Sequence, residues 1–234
     1  MSVGKTVKTL KLLFIGNSAT YVNDIPGTLS RLATKAGYCI ECSSVVKGRA
    51  TLTDHADIGN DLGKEAFEAI EKGFDIVFLQ DNSSCISNEA MKEASKNACY
   101  TLDAAVKRTG AKTGIYFRPP SGRDYLEYDS LAQCMEFDRH FGEISECIGA
   151  LNVYVNRAFA YAIKNTEFKL WGADNAHTSE YGAYLAVCVF FTALFRVSAS
   201  VLDGNGLSEK AARELQAIAD KITLDGVSIE SLEI

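Results

Sequence analysis

Apolar residues fall in two kinds of run along this chain, and the two kinds alternate from end to end. Short, nearly unbroken stretches of β-forming residues are followed by longer stretches whose apolar positions recur at helical spacing. Lys11–Gly16 predicts a first strand and Pro26–Ala36 a helix closed by Gly37. Tyr38–Val46 predicts a second strand, leading into a polar segment from Lys47 to Asp57, and Leu62–Lys72 an amphipathic helix that stops at Gly73. Asp75–Gln80 predicts a third strand, Glu89–Arg108 a long helix, and Lys112–Phe117 a fourth strand. Pro119-Pro120-Ser121-Gly122 enforces a loop. Ser130–Ile148 predicts a helix, Asn152–Val155 a short fifth strand, and Ser179–Val197 and Ser208–Lys221 the closing helices.

Strands that are apolar on both faces belong in a parallel sheet with helices on either side. The pattern therefore predicts an α/β fold with five parallel strands, and a single domain over residues 1–234. In such sheets ligands bind at the carboxyl ends of the strands. Polar residues gather there: Asn17-Ser18 after strand one, Lys47-Gly48-Arg49 after strand two, and Gln80-Asp81-Asn82-Ser83 after strand three. Asp174-Asn175-Ala176-His177, just before the long apolar helix, can reach the same edge.

Composition narrows the field of partners. The chain is 47% hydrophobic and 23% charged, enough to bury an ordinary core, and its formal charge of −6 argues against nucleic acid. Lysines at 5, 8 and 11 precede an apolar stretch too short for a signal sequence. The apolar run Ala183–Phe195 falls short of the ~20 residues of a membrane span. Seven scattered cysteines, an odd number, read as free thiols in a reducing compartment, so a cytoplasmic location away from the membrane is expected. Cys39 and Cys42 have no second pair for zinc.

Ser18 becomes chemically interesting through the Asp174–His177 element. A serine hydroxyl attacks only when a base takes its proton, and His177 can accept and return one near neutral pH. Asp174, three positions earlier, can hold the imidazole in the right tautomer. Acyl transfer also needs donors for the developing oxyanion. The Ser18 backbone N–H, Gly48, and the side-chain amide of Asn82 or Gln80 are the candidates. His140 lies in a charged stretch and reads as a solvated surface residue, whereas His55, in the second-strand loop, is a candidate pocket residue. Asp54, His55 and Asp57 supply too few ligands for a metal. Arg49 and Arg118 follow strands and are candidates for holding an anionic group, though surface ion pairing is the weightier assignment; Trp171 is a pocket wall or core.

These blocks resemble the SGNH (GDSL-like) hydrolase superfamily, in which Ser, Gly, Asn and Asp-x-x-His occur in this order. Ser18, Gly48, Asn82 and Asp174/His177 occupy those places over residues 10 to about 195. The pattern is most similar to a less characterised bacterial branch with Phe-Ile-Gly-Asn-Ser, Leu-Gln and Asp-x-x-His-x-Ser-x-x-Gly-x-Tyr-Leu blocks, here Phe14–Ser18, Leu79-Gln80 and Asp174–Leu185. Two departures stand out: Asn17 replaces the common Asp, and Gln80-Asp81-Asn82 replaces Gly-x-Asn-Asp. The resemblance implies a three-layer α/β/α flavodoxin-like fold and a serine esterase or deacylase working through an acyl-enzyme at Ser18, without metal or cofactor. An O-acetylated sugar or a short-chain ester is the first expectation for substrate. The alternatives are a lipid or thioester hydrolase of the same fold and a non-catalytic carbohydrate- or anion-binding module.

Overall fold

The computed structural model describes residues 9–119 and 130–228. The strands are β1 (Leu10–Gly16), β2 (Ile40–Val46), β3 (Ile76–Leu79), β4 (Lys112–Tyr116) and β5 (Leu151–Val153). They form one sheet in the order β2-β1-β3-β4-β5, and every pairing is parallel. The chain leaves β1 toward one edge, and after β2 crosses to β3 on the other side. The carboxyl end of β1 is therefore the switch point at which open α/β sheets hold ligands.

Period-two alternation along the strands feeds two cores. Leu12, Phe14, Ile76, Phe78 and Tyr116 point to one face of the sheet, and Leu13, Ile15, Val77, Leu79 and Ile115 to the other. The first face is covered by α2 (Ile25–Lys35), α7 (Val155–Asn165), α8 (Glu180–Phe195) and α9 (Glu209–Thr223). The second is covered by α3 (Leu52–Ala56), α4 (Asp61–Ile70), α5 (Glu89–Arg108) and α6 (Ser130–Ile148). The result is the expected three-layer α/β/α arrangement. Helix α8 is apolar on all sides and buried from Gly182 to Ala193, as an all-round hydrophobic helix must be. Phe190 stacks edge-on against Phe14, Phe78 and Tyr116 at 4.9–5.4 Å, pinning this helix to the sheet centre. No helix among the described residues is long and apolar enough to cross a membrane.

The expected elements reappear with ends shifted by a residue or two, and three helices enter that the pattern did not predict, the short one at Ser18–Tyr21, α3 and α7. The fifth strand stops at Val153, and Val155, expected at its end, instead opens α7. Within the polar Lys47–Asp57 segment lies α3, started by a capping box in which Thr51 and Asp54 satisfy each other's backbone N–H groups. The Pro-rich loop expected after strand four lies, beyond Pro119, outside the described residues.

Candidate active site

The first-strand block builds a capped turn. Asn17 is the N-cap of a four-residue helix, α1 (Ser18–Tyr21), and its Oδ1 accepts the Ala19 N–H at 3.0 Å. Its Nδ2 donates to the Ala50 carbonyl at 2.9 Å, in the turn after β2. An ionised aspartate could make the first bond but not the second, which gives the Asn at this position a physical role. Ser18 opens the helix, half-buried at the carboxyl end of β1.

The second-strand block is a tight turn closed by the Ala50 N–H on the Lys47 carbonyl at 3.1 Å. Gly48 is exposed at its tip, and it is the next residue, Arg49, that takes the left-handed conformation, with φ +67°. The Tyr21 hydroxyl closes over Gly48, 3.1 Å from where a Cβ would sit.

In the third-strand block the two candidate amides part company. Asn82 is half-buried; its Oδ1 accepts the Ser84 N–H at 3.1 Å, and its Nδ2 donates to the Arg49 carbonyl at 3.3 Å. Its second Nδ2 hydrogen has no partner among the described residues, beside the turn that bears Gly48. Gln80, the expected alternative to Asn82 as oxyanion donor, is buried (1% exposed), with its Nε2 committed to the Asp81 carbonyl. Its Oε1 accepts from the Asn17 N–H and the Thr20 hydroxyl, both at 3.0 Å. Gln80 therefore turns its amide inward, under the Ser18 turn. Asp81 gathers the Leu52 N–H, the Asn82 N–H and the Ser95 hydroxyl at 2.6–2.9 Å, while burial pushes its pKa up.

The last block is a preformed loop. Gly172 N–H bonds the His177 carbonyl at 2.8 Å, and Trp171 and Thr178 form an antiparallel bridge. Asp174 Oδ1 accepts the N–H groups of Ala176 and His177 at 3.0 and 3.1 Å, leaving Oδ2 to meet His177 Nδ1 at 2.6 Å. The Ala176 N–H first, then the His177 ring, hold the Asp174 carboxyl well below the usual carboxylate range. An ionised carboxylate at Nδ1 keeps the proton there and leaves Nε2 bare, the state a general base requires. The rest of the motif docks this loop. Ser179 caps α8, its hydroxyl donates to the Lys169 carbonyl at 2.5 Å, and Tyr184 donates to the Asp203 carbonyl at 2.9 Å.

Asn23 connects the two halves. From the turn after α1 its Nδ2 reaches the carbonyl and the hydroxyl of Thr178, the latter at 3.3 Å. The segment bearing Ser18 is thereby tied to the residue after His177, a link with no signal in either local motif. A cavity of about 610 Å³ opens beside the loop, with Phe168, Trp171, Gly172 and Asn175 among its walls.

Other candidates land elsewhere. His140, expected at the solvated surface, is buried (9% exposed) against Phe141, because α6 lays it on α5 beside Lys92 and Lys96. His55 faces the interior below the Ser18 turn, with Nε2 2.8 Å from the Gly16 carbonyl. Asp54 is spent on its capping box and Asp57 on the Gly59 N–H. Among the described residues no group of three His, Cys, Asp or Glu side chains is arranged to hold a metal. Arg118 is buried beyond β4, and Arg49 sits exposed in the turn after β2. Burial, with Asp24 nearby, pushes the Cys42 thiol up to about 12, which makes it unreactive.

Several solved structures share this architecture. A candidate SGNH hydrolase from Slackia heliotrinireducens superposes with a TM-score of 0.68 at 24% identity, over 80% of this chain and 100% of the other. A DUF4886 family protein from Bacteroides uniformis reaches 0.79 at 16% identity, over 96% and 98%. A catalytic mutant of an acetylxylan esterase from Geobacillus stearothermophilus reaches 0.58 at 18% identity, over 83% and 97%.

The chain has the SGNH-hydrolase fold.

No family model and no curated protein matches its sequence. In this chain Ser18 follows β1, Asn82 follows β3, and Asp174 and His177 lie in the loop before α8. Sequence patterning alone missed Asn23 and the inward use of Gln80 and His55, whose partners are remote in sequence. The capping box before His55 was readable; the contact with Gly16 was not.

Proposed function

We propose that this protein is a serine esterase acting on short acyl esters. His177 Nε2 takes the Ser18 proton as Oγ attacks the ester carbonyl, and Asp174 stabilises the imidazolium that forms. The oxyanion is met by the Ser18 N–H, the Gly48 N–H and the free Nδ2 hydrogen of Asn82. Collapse expels the alcohol with the proton from His177, and water then releases the acid by the same steps in reverse. Ser18, Asp174 and His177 are the catalytic residues, with no metal or cofactor in the scheme.

The single observation that carries this proposal is the Asp174–His177 pair. A binding module has no use for an imidazole held at 2.6 Å by a carboxylate that two backbone N–H groups keep ionised. An acetyl group on a carbohydrate is the proposed substrate. Its support is the cavity beside the loop, which Phe168 and Trp171 line together with polar Lys169 and Asn175. The acetylxylan esterase with the same fold acts on such an ester. The test is release of p-nitrophenol from p-nitrophenyl acetate, and of acetate from acetylated xylooligosaccharides. Ser18→Ala should lower turnover by roughly 10³-fold or more, since nucleophile and base act as a unit. A folded Ser18→Ala protein that keeps a tenth of the activity would remove Ser18 as the nucleophile.

A further inference from the structure

Two buried side chains close on the peptide unit just before the Ser18 turn. The carbonyl of Gly16 meets His55 Nε2 at 2.8 Å, and the N–H of Asn17, the other end of the same unit, meets Gln80 Oε1 at 3.0 Å. A peptide unit is planar, so fixing its C=O and its N–H fixes the whole plane. Both contacts are made by side chains that expose 1% of their surface or less.

Each partner has its orientation settled by its surroundings. Gln80 Nε2 donates to the Asp81 carbonyl, which turns Oε1 toward Asn17, and the Thr20 hydroxyl donates to that same Oε1 at 3.0 Å. The amide thus holds α1 as well as the peptide that leads into it. The approach requires a glycine at 16, because a Cβ there would lie 2.6 Å from Gln80 Oε1. His55 stands in α3, whose first turn is locked by the Thr51–Asp54 capping box. A carbonyl oxygen only accepts, so His55 Nε2 carries the proton and Nδ1 is bare. That Nδ1 is buried and has no partner among the described residues. A leucine or phenylalanine of similar size would fill the space without an unsatisfied nitrogen. The imidazole is intelligible through its one bond, to Gly16.

We propose that His55 and Gln80 are positioning residues that clamp the Gly16–Asn17 peptide and so preset Ser18 for attack, with His55 as the neutral Nε2–H tautomer. The proposal rests on Ser18 being the nucleophile. Neither side chain touches substrate. Burial lowers the His55 pKa, against the opposing bond to the Gly16 carbonyl and the fields of Asp54 and Glu65, which keeps the ring in the neutral form the clamp uses.

The test measures the rate of Ser18 modification by a fluorophosphonate, located by peptide mass spectrometry, together with kcat and KM for p-nitrophenyl acetate. His55→Leu should slow modification and lower kcat in parallel, by about 10- to 100-fold, with KM unchanged, because a misplaced nucleophile loses rate without losing binding. His55→Gln, which can still donate to Gly16, should recover a large part of that loss. Gln80→Met should repeat the His55→Leu pattern. Folded His55→Leu and Gln80→Met proteins modified at the wild-type rate would overturn the clamp and leave Ser18 as the nucleophile. A wild-type enzyme that hydrolyses esters but is never modified at Ser18 would overturn the nucleophile and the clamp together. Should both variants fail to fold, nitrogen-15 spectra of the wild-type histidines decide. A His55 ring protonated at Nε2 alone at pH 7 is expected, and one protonated at Nδ1 would overturn the proposal.

Discussion

Replacing Gly182 by alanine probes how the start of α8 sets the base, three residues beyond the Ser179 cap. A Cβ at 182 would lie 2.2 Å from the Leu170 carbonyl oxygen and 2.9 Å from the Phe159 ring. Heavy atoms in contact normally stand roughly 3.5 Å apart, so about 1 Å of displacement is required. The Phe159 ring can yield by rotating. Leu170 cannot: it is buried, and its carbonyl accepts the Ser179 N–H at 2.9 Å. The displacement therefore passes to the neighbouring Trp171–Thr178 bridge and the Asp174–His177 loop that it closes. Misplacing a reacting group by ~1 Å costs on the order of 10²-fold in rate. Overpacking costs about 1–3 kcal/mol, equivalent to a Tm lower by roughly 2–12 °C for a chain of this size. The assay is kcat/KM on p-nitrophenyl acetate beside thermal unfolding of the same preparation. A fall of about 10²-fold in rate with a folded protein is expected. Activity within twofold of wild type, at any Tm, would refute the claim that α8 and the Leu170 backbone together locate His177.

Asp174→Asn retains Oδ1 for the Ala176 and His177 N–H groups but presents an NH₂ to Nδ1, forcing the ring proton onto Nε2. The rate should fall by about 10²–10⁴-fold, below the full tautomer penalty because the pair is part exposed and water can compensate; an unchanged rate would dismiss Asp174. Asn82→Ala should lower kcat by about 10²-fold with KM little changed, since the lost donor acts in the transition state, and a larger effect on KM than on kcat would make Asn82 a substrate-binding group instead. Acidification should destabilise the fold. Burial lowers the pKa of both His55 and His140, so below about pH 6.5 the unfolded chain takes up protons that the folded chain refuses. Stability is then full above that pH and declines as pH falls toward the folded values. A lower Tm at pH 5.5 than at 7.5 is expected, with a smaller difference in His140→Gln, and a flat Tm would contradict the buried neutral rings.

Much of the architecture was legible because the strands are apolar on both faces. Leu12–Ile15 and Ile76–Leu79 are unbroken runs that fit only a sheet covered on both sides. Helix α7 was missed although Val155, Ala158, Phe159 and Ala162 repeat at helical spacing. Its N-cap, Tyr154, makes no side-chain cap bond, so nothing local separates strand from helix; the first turn is anchored from afar, by Asn156 and Arg157 on Asp138 at 2.8–2.9 Å. His140 was misjudged because Glu136, Asp138 and Arg139 around it are charged. Burial there is decided by Phe137, Phe141 and Ile144, which draw α6 down onto the core beside α5. Candidate site residues were legible where the partner is close in sequence, as with Asp174 and His177. Gln80 and His55 act on residues 63 and 39 positions away, and only the folded sheet brings those together.

Exposure of the protein to a fluorophosphonate, followed by mass spectrometry of its peptides, tests the proposed chemistry most directly. A serine whose proton a neighbouring base takes attacks phosphorus, expels fluoride and keeps the phosphonyl adduct, whereas a capping serine does not. One adduct per chain is expected, on Ser18, forming at neutral pH and nearly abolished in His177→Ala. Ester hydrolysis that persists with Ser18 unmodified, or an adduct of equal yield in His177→Ala, would contradict a nucleophile at Ser18 activated by His177.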